Sequence, residues 1–268
     1  MSLTRENKRT GPRHPWLYAL REARMPDSVC CEGRRFVHVE TFKHDFFAAT
    51  GLYRDEAAGA LAVLKLGRQT PLPLSLPAAW IGRFLTRREV RMYRALAGTP
   101  GVPRLIGVVG DEAGLLHEFV PGHPLGRDER VSDAFFGELR ELVRGLHARH
   151  MAYVDLNKRQ NVLVGDDGRP YLIDFQISLS LPPVGWRRLP PVRWLLARFQ
   201  HGDWYHVLKH QRRLRPEQLS DDDRRVVERL STWIRLHRLV ARPLTQLRRR
   251  ILRRLNRDDG SIAGASAK

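Results

Sequence analysis

An α+β chain is expected from three features of the sequence. Residues 36–66 fall into three short apolar or alternating runs separated by turns, which is a strand pattern. Residues 132–147 carry Phe135, Phe136, Leu139, Leu142, Val143 and Leu146 at helical steps. Residues 153–175 hold two apolar runs around a Gly165-Asp166-Asp167-Gly168 turn, the pattern of a β-hairpin. A small antiparallel sheet with one main helix therefore precedes a larger, mostly helical part that carries the hairpin.

Composition sets the outer bounds. A chain of 268 residues buries a substantial core and suits one or two domains. With 47 Lys and Arg against 29 Asp and Glu the net charge is +18, a field that attracts nucleotides, phosphorylated lipids, anionic membrane or nucleic acid without choosing among them. Only six of the cations are lysines, so a lysine inside a motif carries some information. No apolar run approaches the roughly 20 residues that span a bilayer, and the N-terminus lacks the apolar core of a signal peptide. The two cysteines, Cys30 and Cys31, are adjacent and do not staple distant segments, so a reducing, cytoplasmic setting is expected.

Residues 1–34 mix proline, arginine and polar side chains and read as an arm without chemistry of its own. Strand runs follow at 36–42, 48–53 and 60–66. Lys65 interrupts the third, either snorkelling at a sheet edge or held for a buried anion. The break at 43–47 could offer turn amides to a phosphate, aided by Lys43 or His44, or be a plain solvated turn. No Gly-Lys dipeptide exists, so there is no Walker A loop. Residues 69–85 read as an irregular connection and 86–96 as a helix stopped by Gly98-Thr99-Pro100-Gly101. Glu89 either closes a capping box with Thr86 or pairs with Lys65, being the one carboxylate between Glu56 and Asp111. Strands at 102–109 and 115–120 complete the sheet, and Ser132 is placed to cap the helix over 132–147.

The hairpin concentrates the chemistry. Asp155, Asn157, Lys158 and Asn161 precede or open its first strand, and Asp174 closes its second. Asp155, Asn161 and Asp174 thus bring three oxygen-bearing side chains to one end of a rigid unit. One carboxylate to orient a hydroxyl, with an amide and a carboxylate for Mg2+, suits phosphoryl transfer. Asp166-Asp167-Gly168 is turn chemistry only.

This stretch resembles the catalytic loop and metal-binding strand of the protein kinase-like superfamily. Within it, the bacterial lipopolysaccharide (Kdo) kinase-like, atypical serine/threonine kinase group is most similar, on Asp155-Leu156-Asn157, Asn161-Val162-Leu163 and Leu172-Ile173-Asp174-Phe175. The resemblance covers residues 35–210 and implies a two-lobe fold. An arm over 1–34 would lead into a small lobe at 35–120. A large lobe at 121–257 would end in a basic helix, with a disordered tail at 258–268. It implies ATP and Mg2+ as cofactors. Asp155 would orient or deprotonate the acceptor and Lys158 neutralise the transferring charge. Asn161 and Asp174 would hold the metal, Lys65 would grip the phosphates, and Glu89 would position Lys65. Lys43 or His44 would assist at the phosphates, and the backbone at Glu118 and Val120 would meet adenine. Asp203 would brace the catalytic loop, although a helix N-cap explains it nearly as well.

Departures from the superfamily pattern accompany these matches. Tyr153-Val154-Asp155 stands for His-Arg-Asp, and Asp174-Phe175-Gln176 for Asp-Phe-Gly. The step from Asp155 to Asn161 is one residue longer than usual, and neither a glycine-rich phosphate loop nor an Ala-Pro-Glu motif is present. A nucleotide-binding pseudokinase or scaffold therefore stands beside the enzyme. The acceptor implied first is an anionic lipopolysaccharide inner-core sugar, then a protein serine or threonine. Residues 231–257 hold nine arginines and no acids, with apolar residues at three- and four-residue steps. This is either a helix lying on anionic lipid at the inner face of the membrane or a large-lobe helix with solvated arginines. No recognition motif or aromatic-basic platform points to nucleic acid.

Overall fold

The computed structural model describes residues 17–21, 24–71, 78–182 and 184–228. Six antiparallel strands form the main sheet: β1 (Ser28–Cys31), β2 (Arg34–His44), β3 (Ala48–Asp55), β4 (Leu61–Gly67), β5 (Leu105–Val109) and β6 (Gly114–Glu118). Their order is β1-β2-β3-β4-β6-β5. Five of them lie on the expected runs. The first, β1, falls inside the stretch read as an arm, so the sheet starts before residue 35. Four residues are too few to show a period, but Glu32 and Gly33 both take positive φ (49° and 72°), as a tight hairpin needs. Leu20, Met25 and Cys31 join Phe36, Tyr53 and Leu64 in one buried cluster. Both cysteines are free thiols.

Helix α1 (Ala79–Ala95) packs against β4, β5 and β6. It starts at Ala79 rather than at residue 86, so most of the connection read as irregular is helix where it is described. Thr86 and Glu89 are buried in its interior, which removes the capping box as the reason for Glu89. Gly82 lets the helix approach the end of β4, since a Cβ there would collide with the Arg68 backbone carbonyl.

Strands β7 (Gly122–Pro124), β9 (Val162–Gly165) and β10 (Pro170–Leu172) form a three-stranded sheet in the order β10-β9-β7. The hairpin expected at 153–175 is the β9–β10 pair. Helix α2 (Phe135–Ala148) presents the expected stripe, and Phe135, Phe136, Leu139, Val143 and Leu146 are fully buried. Truncating such a phenylalanine costs about 3–5 kcal/mol. Ser132 does not cap the helix; its hydroxyl donates to the Gly168 carbonyl instead.

Strand β8 (Met151–Ala152) pairs with β11 (Leu179–Ser180), closing the chain around the hairpin. Helix α3 (Pro190–Leu214) starts with proline in its first turn and holds Asp203 in its middle, so Asp203 is not an N-cap. The basic run at 231–257 and the tail at 258–268 lie outside the described residues. No helix among the described residues is long and apolar enough to cross a membrane.

Candidate nucleotide and metal site

Lys65 sits in β4 with its side chain 12% exposed. Its Nζ lies 2.8 Å from Glu89 Oε2 on α1 and 2.6 Å from Asp174 Oδ1 after β10. The strand lysine, the helix glutamate and the hairpin aspartate expected to work together are thus in direct contact. Burial pulls the Lys65 ammonium toward the neutral form, but the Glu89 and Asp174 carboxylates outweigh it and raise its pKa. Burial also raises the Glu89 carboxyl, against the pull of Lys65. Asp174 shifts the other way: burial is overcome by Lys65, with Lys158 and Lys43 adding to the effect, and its carboxylate is held below the usual range.

The second half of the site is the loop before β9. Asp155 Oδ2 accepts from Lys158 Nζ at 2.6 Å and from Asn161 Nδ2 at 3.1 Å. With Nδ2 turned to Asp155, the Asn161 carbonyl oxygen is the acceptor side of that amide. Asn161 is buried at the end of a 3-10 turn (Arg159–Asn161). Asp174 takes a left-handed backbone, φ 61°. An amide oxygen and an ionised carboxylate are hard donors of the kind Mg2+ takes, with phosphate oxygens completing its shell. Among the described residues no three His, Cys, Asp or Glu side chains gather into a closed metal cage.

Asp203 is 1% exposed. Its two oxygens accept the N–H groups of Tyr153 and Val154, each at 2.7 Å, and Oδ2 lies 3.2 Å from His147 Nε2. Val154 has φ 73°, a conformation a β-branched residue adopts only under constraint. The buried carboxylate supplies that constraint and fixes the backbone one residue before Asp155.

An aromatic column, not foreseen from sequence, joins the two halves. His117 of β6 stacks on Tyr93 of α1 at 5.3 Å. Tyr93 meets Phe175 edge-on at 5.1 Å, and Phe175 meets Tyr153 edge-on at 5.3 Å. The Tyr153 hydroxyl donates to the Ile173 carbonyl. Burial pushes His117 down to about 4, so the ring is neutral. Arg88, one residue before Glu89, donates to the carbonyls of Ile177 and Ser178 and ties α1 to the segment after Asp174. One signal was available: Tyr93 lies four residues after Glu89, on the same helix face.

The β2–β3 turn is closed by its own side chain. Asp45 Oδ1 accepts the Phe47 and Ala48 N–H groups, at 2.8 and 3.0 Å. Those amides are therefore committed within the turn. Burial opposes ionisation of Asp45, but Lys43 and the two amides hold its pKa below the usual range. Lys43 pairs with Asp45 at 2.6 Å and still acts on Asp174 through space. His44 turns elsewhere: its Nε2 accepts the Leu20 N–H at 3.1 Å and its ring meets Tyr18. Through these contacts it holds the N-terminal segment.

At the end of β6 the Glu118 side chain pairs with Arg104 on the surface. Its N–H donates to the Arg104 carbonyl, and its own carbonyl lies 2.8 Å from His117 Nδ1. Val120 follows, half-buried, just before β7.

No protein-family model matches the chain, and no curated protein matches it. Among solved structures it is similar to the Rio2 kinase from Chaetomium thermophilum, determined as an ADP/Mg2+-phosphoaspartate complex, with TM-score 0.51 and 16% identity. The likeness covers 71% of this chain and 61% of that one, so the chain spans less than two thirds of that structure. At this identity the likeness speaks for the fold alone: the chain has a kinase-like fold.

Proposed function

We propose that the chain is an ATP-dependent phosphotransferase of two-lobe, kinase-like form that moves the γ-phosphoryl group to a hydroxyl. The observation that carries this is the Lys65 ammonium between Glu89 and Asp174, with the half-buried Asp155 presented by the loop that the Asn161 backbone carbonyl ties to Ile173, next to Asp174. Random polar residues do not gather two carboxylates on one buried lysine from a strand, a helix and a hairpin. The Rio2 structure contains ADP and Mg2+, and the oxygen donors here suit the same ligands.

In this reading Lys65, held in place by Glu89, binds phosphate oxygens, and Lys43 adds positive charge. Glu118 and Val120 offer backbone groups to adenine. Asp155 accepts the hydrogen bond of the attacking hydroxyl and takes its proton as the new P–O bond forms and the bond to the leaving ADP oxygen breaks. Lys158 stabilises charge at the transferring group. Mg2+, held by Asn161 and Asp174, would offset negative charge on the phosphates.

The acceptor we favour is a hydroxyl of an anionic lipopolysaccharide inner-core sugar met at the cytoplasmic membrane face, with a protein serine or threonine next. Trp186, Leu189, Trp194 and Leu195 are 63%, 52%, 67% and 42% exposed around the start of α3, interleaved with Arg187 and Arg193. Such a surface suits the headgroup layer of anionic lipid. A nucleotide-binding scaffold without turnover is the second reading, favoured by Asp45 occupying the turn amides. Incubating the purified chain with labelled ATP, Mg2+, lipid extract and protein fractions separates these readings. Label entering the lipid fraction, and lost in Asp155→Ala, supports the first. Nucleotide binding with no turnover supports the scaffold.

A further inference from the structure

A cavity of about 430 Å3 opens beside the catalytic loop. Five cations line it: Arg127, Lys158, Arg159, Lys209 and Arg213. Among the described residues no carboxylate does. Among the described residues Asp155 reaches Lys158 at 2.6 Å and Asp128 reaches Arg213 at 3.1 Å from outside the lining. Lys209 Nζ lies 3.1 Å from the neutral Asn157 amide oxygen. Arg127 and Arg159 have no acidic partner among the described residues. The lining shares nothing with Lys65, Glu89 or Asp174, so it is not the phosphate grip of the proposed nucleotide cleft. Three of the cations are guanidinium groups, which match phosphate oxygens in a planar fork. The volume lies within the range of small-molecule sites and exceeds what a lone ion needs.

We infer that this cavity is an anion subsite that holds a phosphate group already carried by the acceptor, while a hydroxyl of the same molecule faces Asp155. The link is Lys158, which lines the cavity and touches Asp155. Anchoring a charged group one side chain away from the base positions the hydroxyl and selects acceptors by their charge. The inference rests on the phosphotransferase reading for the word acceptor, and on the cavity alone for the anion.

The chain's scarcity of lysine provides the test. Lysine acylation of the full chain is followed by mass spectrometry with Mg2+ and a non-hydrolysable ATP analogue present, while inorganic phosphate is titrated in. Labelling of Lys158 and Lys209 should fall severalfold while Lys43 and Lys268 keep their rates. Uniform slowing of all lysines, or no slowing, overturns the subsite. Arg127→Gln with Arg159→Gln should weaken the protection about tenfold, as loss of charge-assisted contacts requires. If that variant folds poorly, the wild-type footprint still decides. Calorimetry with the Mg-bound analogue reads the nucleotide cleft separately, so its failure and the cavity's failure are distinct. Treating the lipid acceptor fraction with phosphatase should lower label incorporation; unchanged incorporation overturns the assignment of the anion to the acceptor.

Discussion

Lys65→Met removes the cation that Glu89 and Asp174 share. Glu89 is 2% exposed, so water cannot replace the lost ammonium. Breaking a buried ion pair from one side costs about 3–5 kcal/mol, most of it the uncompensated charge left behind. Burial already raises the Glu89 carboxyl, and without Lys65 it rises further. The folded variant then holds a proton that the unfolded chain loses above pH ~4.3, so its stability falls as pH rises. Its deficit against wild type should narrow on acidification toward pH ~5. Adding Glu89→Leu removes the stranded charge and should restore roughly half or more of the loss, since apolar replacement of a buried pair is often neutral or better. Nucleotide binding should stay weak in both variants, because the phosphate contact is gone in both. Urea unfolding at neutral pH and calorimetry with the Mg-bound ATP analogue measure the two effects. A Lys65→Met variant as stable as wild type, or a double variant less stable than the single, would refute the reasoning.

Three further outcomes follow from the same geometry. Asp203→Asn keeps one acceptor oxygen but turns an amide N–H toward a backbone donor; it should cost about 2–4 kcal/mol, and turnover should fall roughly a hundredfold, with Mg-nucleotide affinity changed far less. His117, pushed from 6.5 to about 4 by burial, refuses a proton that the unfolded chain accepts. Wild-type stability should therefore decline as pH falls through that window by up to about 3 kcal/mol, and His117→Gln should flatten that part of the profile in pH-resolved unfolding curves. Trp186→Ala with Trp194→Ala should lower partitioning onto anionic vesicles about tenfold or more, while vesicles of neutral lipid should hold neither form.

The hairpin and its oxygen-bearing residues were legible because their signal is local. The spacing of Asp155, Asn161 and Asp174 around a Gly/Asp turn survives in one dimension. Lys65 and Glu89 were legible as a pair only because few carboxylates compete within that stretch. The beginning of α1 was not, because Gly82 breaks helical propensity and its purpose is the Arg68 backbone it meets in three dimensions. For the Asp203 carboxylate a cap explained the sequence nearly as well as a brace, because its partners, the Tyr153 and Val154 amides, lie about 50 residues away in sequence. The Leu20 contact of His44 was not legible, because a histidine in a basic turn carries no record of which amide its ring meets. The aromatic column draws single residues from four separate segments, so no window of sequence contains it.

The bridge from Lys65 to Asp174 means that, in the reading proposed here, the cleft rests with its two halves neutralising one another. An incoming triphosphate competes with a carboxylate for the ammonium, and an incoming cation competes with the ammonium for the carboxylate. Each arrival releases the group the other needs, so nucleotide and metal should bind with positive cooperativity, and to equal degree from either direction. Either ligand alone then meets a self-satisfied pair, and the cleft discriminates against free nucleotide before any acceptor is present.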